Sequence, residues 1–137
     1  MNKLIEQLKR HEGVELKPYK DTVGKWTIGI GRNLDDIGIT MSEAEMLLAN
    51  DIQEAKKQLI TKMPWTQELD EVRFSALLNF VFNVGIGTAS KFVNAMALLK
   101  DGNYDMAADE FLQSKWARQV GNRAIEVTDQ IRTGEWQ

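Results

Sequence analysis

Residues 16–31, Leu16-Lys17-Pro18-Tyr19-Lys20-Asp21-Thr22-Val23-Gly24-Lys25-Trp26-Thr27-Ile28-Gly29-Ile30-Gly31, are where the chain changes its period. Trp26, Ile28 and Ile30 alternate with Thr27, Gly29 and Gly31, the repeat of a strand with one large apolar face. Leu16 to Lys20 reads as its partner, and Asp21-Thr22-Val23-Gly24 as the turn between them. The opposite face of the second strand holds only a threonine and two glycines. Such a face either admits a close neighbour to the backbone or marks a bulge or bend, and glycine alone does not choose between them.

On both sides of this hairpin the pattern is helical. Leu4, Ile5 and Leu8 lead at helical spacing to Glu12, and Gly13 is the stop. Helix resumes at Thr40-Met41-Ser42-Glu43, a capping box with its hydroxyl three residues ahead of a glutamate. Ala44, Leu47, Leu48, Ile52, Ala55 and Leu59 then form one apolar stripe, and Pro64 ends the helix. From Leu69 to Val84 the chain is apolar nearly all round, as expected of a central buried helix closed by Gly85 and Gly87. Shorter helices are expected over residues 92–99, 106–112 and 123–131, with Gly134 as a final cap.

The fold class is therefore mainly α, of the α+β kind: a helical body with one small β-hairpin inserted after the first helix. We expect a single domain over residues 1–137, made of a hairpin lobe (about 13–45) and a helical lobe (about 1–12 plus 60–137) joined by a long helix (about 41–62). A hairpin is marginal alone in water, so it must pack, and the helix from Thr40 is the nearest support. A helix that leaves one lobe and enters another creates a cleft between them.

Composition narrows the chemistry. Apolar residues make up 43% and charged residues 27% of the 137, ordinary for a globular chain. The absence of cysteine excludes disulfide scaffolds, thiolate metal sites and cysteine nucleophiles. His11 is the single histidine, which argues against a Ser-His-Asp enzyme and leaves no histidine cluster for a metal. We expect no metal and no organic cofactor. A net charge of −3 argues against nucleic acid as partner. No apolar run approaches the roughly 20 residues of a membrane span, so no membrane insertion is expected. Charged residues near Met1 argue against a signal peptide.

Glu12 falls at the C-terminal end of the first helix, where the negative end of the macrodipole favours the protonated carboxyl, a property suited to a general acid. Asp21 lies in the hairpin turn and Thr27 on the small-residue face of the second strand. A helix end followed by a hairpin can bring all three to one mouth. Two carboxyls in unlike environments are what glycoside hydrolysis uses. Twenty acidic residues make such pairs common. The distinguishing feature is the combination of Glu12-Gly13 at a helix stop, Tyr19-Lys20-Asp21-Thr22 at a turn, and Trp26-Thr27-Ile28-Gly29-Ile30-Gly31 beyond it. His11, beside Glu12 on the helix, points elsewhere and reads as incidental.

That combination resembles the phage T4-type lysozymes. The likeness extends through Ile39-Thr40 and Glu43-Ala44-Glu45, Asn79-Phe80-Val81-Phe82-Asn83-Val84-Gly85, Ser114-Lys115-Trp116, Asn122-Arg123-Ala124 and Arg132-Thr133-Gly134-Glu135-Trp136, essentially the whole chain. The resemblance implies a two-lobe lysozyme-like fold and an endo-acting muramidase. Such an enzyme cuts the β-1,4 bond between N-acetylmuramic acid and N-acetylglucosamine in bacterial peptidoglycan. It implies Glu12 as general acid, Asp21 and Thr27 positioning the attacking water so that the product is inverted, and Arg123 pairing with Glu12. That pairing would oppose the effect of the helix dipole on Glu12. Asn33 and Phe82 are candidate substrate-binding residues, with a loop amide and a core aromatic as their alternative readings. An inverting mechanism implies carboxyls roughly 6.5–9.5 Å apart.

Three features depart from the best-known member of that family. Arg32 stands where it has a histidine, so any ion pair of that histidine and its pH dependence do not carry over, and Arg32 stays charged at every relevant pH. The link from Gly31 to Thr40 is shorter, which implies a smaller wall above the cleft. The chain is net acidic, so attraction to an anionic wall would need local charge, for which Lys25, Arg32, Lys115, Arg118 and Arg123 are candidates. The expected setting is a monomeric phage or prophage endolysin held in the host cytoplasm until a holin-type pore releases it to the cell wall. A virion-borne or secreted lysin fits the same residues, and a wall-binding scaffold without hydrolysis is the rival. The presence of Glu12, Asp21, Thr27 and Arg123 together argues against that rival.

Overall fold

Helix stops and turns fall where the glycines and prolines put them. The computed structural model describes residues 1–137 and divides them into two compact units, Met1–Leu47 and Leu48–Gln137.

The first unit begins with α1 (Asn2–Glu12), which ends at Gly13, whose φ of 76° is open to glycine and whose N–H donates to the Lys9 carbonyl at 2.9 Å. Lys9, Arg10 and His11 fill the last turn, complementing its negative end. Then come β1 (Glu15–Lys20), β2 (Trp26–Gly29) and β3 (Arg32–Asn33), a three-stranded antiparallel sheet in the order β1-β2-β3. The hairpin is thus extended by a third strand that the sequence pattern did not announce. Two residues are too few to display an alternation. Tyr19 pairs with Thr27 and Lys20 with Trp26, but the register slips before Glu15 meets Gly29, which is a bulge in β1.

On and just beyond β2 the small face is the better covered, with Ile28 half-buried. Thr27 is only 4% exposed, whereas Trp26 and Ile30 are 45% and 41% exposed. No apolar layer within this unit closes over the larger side chains, since Leu4, Ile5, Leu8, Leu16 and Ile37 are exposed as well.

The capping box forms as expected at the head of α2 (Met41–Lys62), the helix that runs through the division at Leu47. Thr40 Oγ1 accepts the Glu43 N–H at 3.1 Å, and Glu43 Oε1 accepts the Thr40 N–H at 2.9 Å. Of its apolar stripe only Ala55 and Leu59 are buried, at the end that joins the core of the second unit.

That core is built by α3 (Glu71–Val84), α4 (Ile86–Ala89), α5 (Val93–Lys100), α6 (Tyr104–Leu112), α7 (Lys115–Val120) and α8 (Asn122–Thr133), with a 3-10 turn over Pro64–Glu68. Asp70 caps α3 by accepting the Arg73 N–H. Phe80 of α3 is fully buried and meets Phe92, Phe111 and Trp116 edge-on, with ring centroids 4.9, 5.0 and 4.8 Å away. Trp116 satisfies its buried indole by donating to Asn83 Oδ1 at 2.8 Å. Arg73 Nε and Nη2 donate to the carbonyls of Ile131 and Arg132, groups that the end of α8 leaves without helical partners. The same guanidinium lies 3.7 Å over the Tyr104 ring. No helix is long and apolar enough to cross a membrane.

Candidate active site

Glu12, the last residue of α1, is exposed and lies over the turn between β2 and β3. A Cβ built on Gly31 would stand 2.7 Å from Glu12 Oε2, so the carboxylate occupies the space that any larger residue would fill. Gly31 also has φ +72°, a conformation L side chains rarely adopt. The small-residue face therefore has its close neighbour at Gly31, and Gly29, with φ +71°, bends the backbone where β2 ends.

Asp21 and Thr27 are held by a single peptide residue. Asp21 Oδ1 accepts the N–H groups of Val23 and Lys25, each at 2.9 Å, which locks the turn and the plane of the carboxylate. Thr27 Oγ1 donates to the Lys25 carbonyl at 3.0 Å. The backbone of Lys25 thus orients the carboxylate with its N–H and the hydroxyl with its C=O. Asp21 keeps Oδ2, and Thr27 keeps its lone pairs, as acceptors for a further hydrogen.

Arg32 and Glu43 form the shortest ionic contact of this unit. Arg32 Nη1 donates to Glu43 Oε1 at 2.7 Å and to the Gly38 carbonyl at 3.1 Å. The hydrogen bond from Arg32, reinforced by the Thr40 N–H, draws the Glu43 carboxyl down to about 2. Glu43 in turn raises the Arg32 guanidinium further above its ordinary value. Asn33 builds the neighbouring turn: Oδ1 accepts the Asp36 N–H at 3.0 Å and Nδ2 donates to Asp36 Oδ2 at 3.0 Å. Lys25 pairs with Asp36 at 3.2 Å, so Lys25 and Arg32 are both offset by carboxylates.

The remaining candidates lie in the second unit. Arg123, in the first turn of α8, donates through Nε and Nη2 to Asn79 Oδ1 at 3.1 and 2.9 Å. Phe82 is 43% exposed and is not a core aromatic. With Asn79, Arg123, Leu78 and Trp136 it lines a pocket of about 350 Å³.

Glu12, Asp21, Thr27 and Asn33 thus belong to the first unit, Phe82 and Arg123 to the second. Sequence reading did not single out Gly31, Glu43 or Asn79 for the site. Asn79 carried a signal, as the polar residue between the apolar runs Ala76-Leu77-Leu78 and Phe80-Val81-Phe82. Glu43 was read only as a cap, since nothing local links it to Arg32.

The phage lysozyme family model matches residues 9–132. A probable T4-type lysozyme of Dictyostelium discoideum is 31% identical over 98% of this chain and 96% of its own length. An endolysin of Acyrthosiphon pisum secondary endosymbiont phage 1 is 35% identical over 85% of this chain and 80% of its own. The pre-baseplate central spike protein Gp5 of Enterobacteria phage T4 is 30% identical over 96% of this chain but only 28% of its own length.

Proposed function

The chain belongs to the phage lysozyme family, and from that premise we propose that it is an endo-acting muramidase that cleaves the β-1,4 bond between N-acetylmuramic acid and N-acetylglucosamine with inversion. The observation that carries the mechanism is the Lys25 peptide, which aims a carboxylate and a hydroxyl together while Glu12 rests on Gly31.

Protonated Glu12 gives its proton to the glycosidic oxygen as the bond to the anomeric carbon breaks, so the leaving sugar departs as an alcohol. A water attacks that carbon from the opposite face. Asp21 accepts one of its protons. Thr27, whose own hydroxyl hydrogen is committed to the Lys25 carbonyl, accepts the other hydrogen and turns the water's lone pair toward the sugar. Asp21 ends protonated and Glu12 ionised, and exchange with solvent resets both. Their carboxyls stand roughly 6.5–9.5 Å apart in this mechanism, leaving room for the water.

Arg123, supported by Asn79, assists Glu12, and Phe82 and Asn33 contribute to glycan binding. The division into a hairpin lobe and a helical lobe joined by the long helix belongs to the same proposal. So does the setting: a monomeric endolysin that waits in the host cytoplasm and reaches the wall through a holin-type pore. The likeness to the phage T4 spike protein supports a second setting, a virion-borne lysin. Presence of the chain in purified virions would distinguish it.

The test is release of reducing ends from purified peptidoglycan by the parent and by Glu12→Gln. Activity in the parent and its near-complete loss in the variant is the expected result. Wall binding without hydrolysis in both would replace the enzyme by a scaffold.

A further inference from the structure

The seat of Glu12 is only as firm as the turn that carries Gly31, and little of that firmness comes from the sheet. β3 has two residues, paired to β2 through Thr27–Asn33 and Ile28–Arg32. A strand this short does not hold itself. Just beyond it the Leu34 N–H donates to the Trp26 carbonyl at 2.7 Å and the Trp26 N–H to Asp35 Oδ2 at 2.8 Å, which tie the link to β2. The tie to α2 comes from the side chain of Arg32, the residue directly after Gly31. Its Nη1 reaches the Gly38 carbonyl at 3.1 Å and Glu43 Oε1 at 2.7 Å. That same Glu43 oxygen accepts the Thr40 N–H at 2.9 Å. One carboxylate oxygen therefore ties β3, the 34–40 link and the first turn of α2 together. The link is wound onto the same point, with the N–H groups of Ile37 and Gly38 donating to the Asn33 carbonyl at 3.2 and 3.3 Å.

We infer that Arg32 is a positioning residue: through Glu43 and Gly38 it fixes the turn bearing Gly31, and with it the carboxylate of Glu12. The inference rests on the reading of Glu12 as the general acid. A carboxylate in contact with backbone follows that backbone when it moves, and displacement of a reacting group by about 1 Å costs on the order of a hundredfold in rate. Neither Arg32 nor Glu43 needs to touch the sugar for this. Both partners also stay ionised at neutral and mildly acidic pH, because Glu43 is held at about 2.

The experiment compares kcat and KM of the parent, Arg32→Met, Arg32→Lys, Glu43→Gln and the Arg32→Met/Glu43→Gln double variant on soluble glycan strands, with Glu12→Gln as reference. For Arg32→Met the expected result is a roughly ten- to hundredfold fall in kcat with KM within about twofold of the parent. Arg32→Lys, which keeps the charge and donor hydrogens, recovers part of the loss. The double variant is no slower than Arg32→Met, because both changes act on one junction, Glu43→Gln removing its negative charge and Arg32→Met its donors. If Arg32→Met does not fold, Glu43→Gln carries the same test, since glutamine still accepts the Thr40 N–H. A folded Arg32→Met with unchanged kcat, or losses that simply add, overturns the positioning role alone, provided the parent is active and Glu12→Gln is not. An inactive parent or an active Glu12→Gln overturns the muramidase reading, and this inference with it.

Discussion

The two units are held by different forces. All the buried hydrophobic residues, from Ala55 to Ile131, belong to Leu48–Gln137, while in Met1–Leu47 the one buried residue is Thr27. The larger unit is organised around Phe80 and its ring contacts. The smaller is organised by polar connections: Asp21 to the turn, Thr27 to Lys25, Asn33 to Asp36, and Arg32 to Glu43. Hydrocarbon cores tolerate shape-conserving change, whereas a hydrogen-bonded frame answers to single atoms. The candidate acid and base lie in the frame that answers to atoms.

The sharpest way to break this contrast is Asp21→Asn. Asparagine Oδ1 still accepts the N–H groups of Val23 and Lys25, so the turn should persist, but the amide cannot take a proton from water. We expect kcat to fall by about 10²- to 10⁴-fold with little change in thermal unfolding. A folded variant of near-parental activity would remove Asp21 from the chemistry.

In the other unit Phe80→Ala should do the reverse. Emptying the centre of four rings should lower stability by about 3–5 kcal/mol. That is a large share of the roughly 5–15 kcal/mol typical of a whole protein. The check is denaturant unfolding, with activity at low temperature retained by the molecules that remain folded.

Arg73→Leu is a smaller change of the same kind. It strands the Ile131 and Arg132 carbonyls at the end of α8 and removes the stacking on Tyr104, and should lower stability by about 2 kcal/mol. A shift in unfolding midpoint without a change in kcat would confirm that it belongs to the hydrocarbon unit's frame.

The smallest effect is conditional on pH. Glu43 has its carboxyl depressed from 4.5 to about 2, so the stability it contributes is present above its ordinary value and is lost only as pH falls through about 2. Arg32 remains charged throughout, and the pair persists from mildly acidic to alkaline pH. In Arg32→His the partner must be protonated to pair, and the carboxylate raises its folded value above the ordinary value of about 6.5. The contribution is then present below about 6.5 and disappears as pH rises through the raised value. The ratio of variant to parent kcat should therefore fall between about pH 6 and 8. A flat ratio would contradict the pairing.

Long periodic elements were legible because their apolar spacing repeats many times. The helices at α2, α3 and α8, the Thr40–Glu43 capping box and the turn at Asp21 all follow from local chemistry. β3, α4 and α7 were not, since two, four and six residues display no period. Which face of β2 is covered was not legible for another reason. Alternation tells that Trp26 and Thr27 face opposite ways but not which way is covered, and here Thr27 is the buried one. Within the site, Glu12, Asp21 and Thr27 stood out through motif and position. The Arg32–Glu43 junction and the Asn79–Arg123 bond join residues 11 and 44 positions apart, a separation that no local pattern encodes.

The most direct test of the mechanism is the configuration of the first product. Proton NMR during the first turnovers on a soluble glycan strand should show the α anomer appearing before mutarotation, as attack by a water held by Asp21 and Thr27 requires. Initial appearance of the β anomer would mean a retaining, double-displacement reaction and would contradict the roles given to both residues.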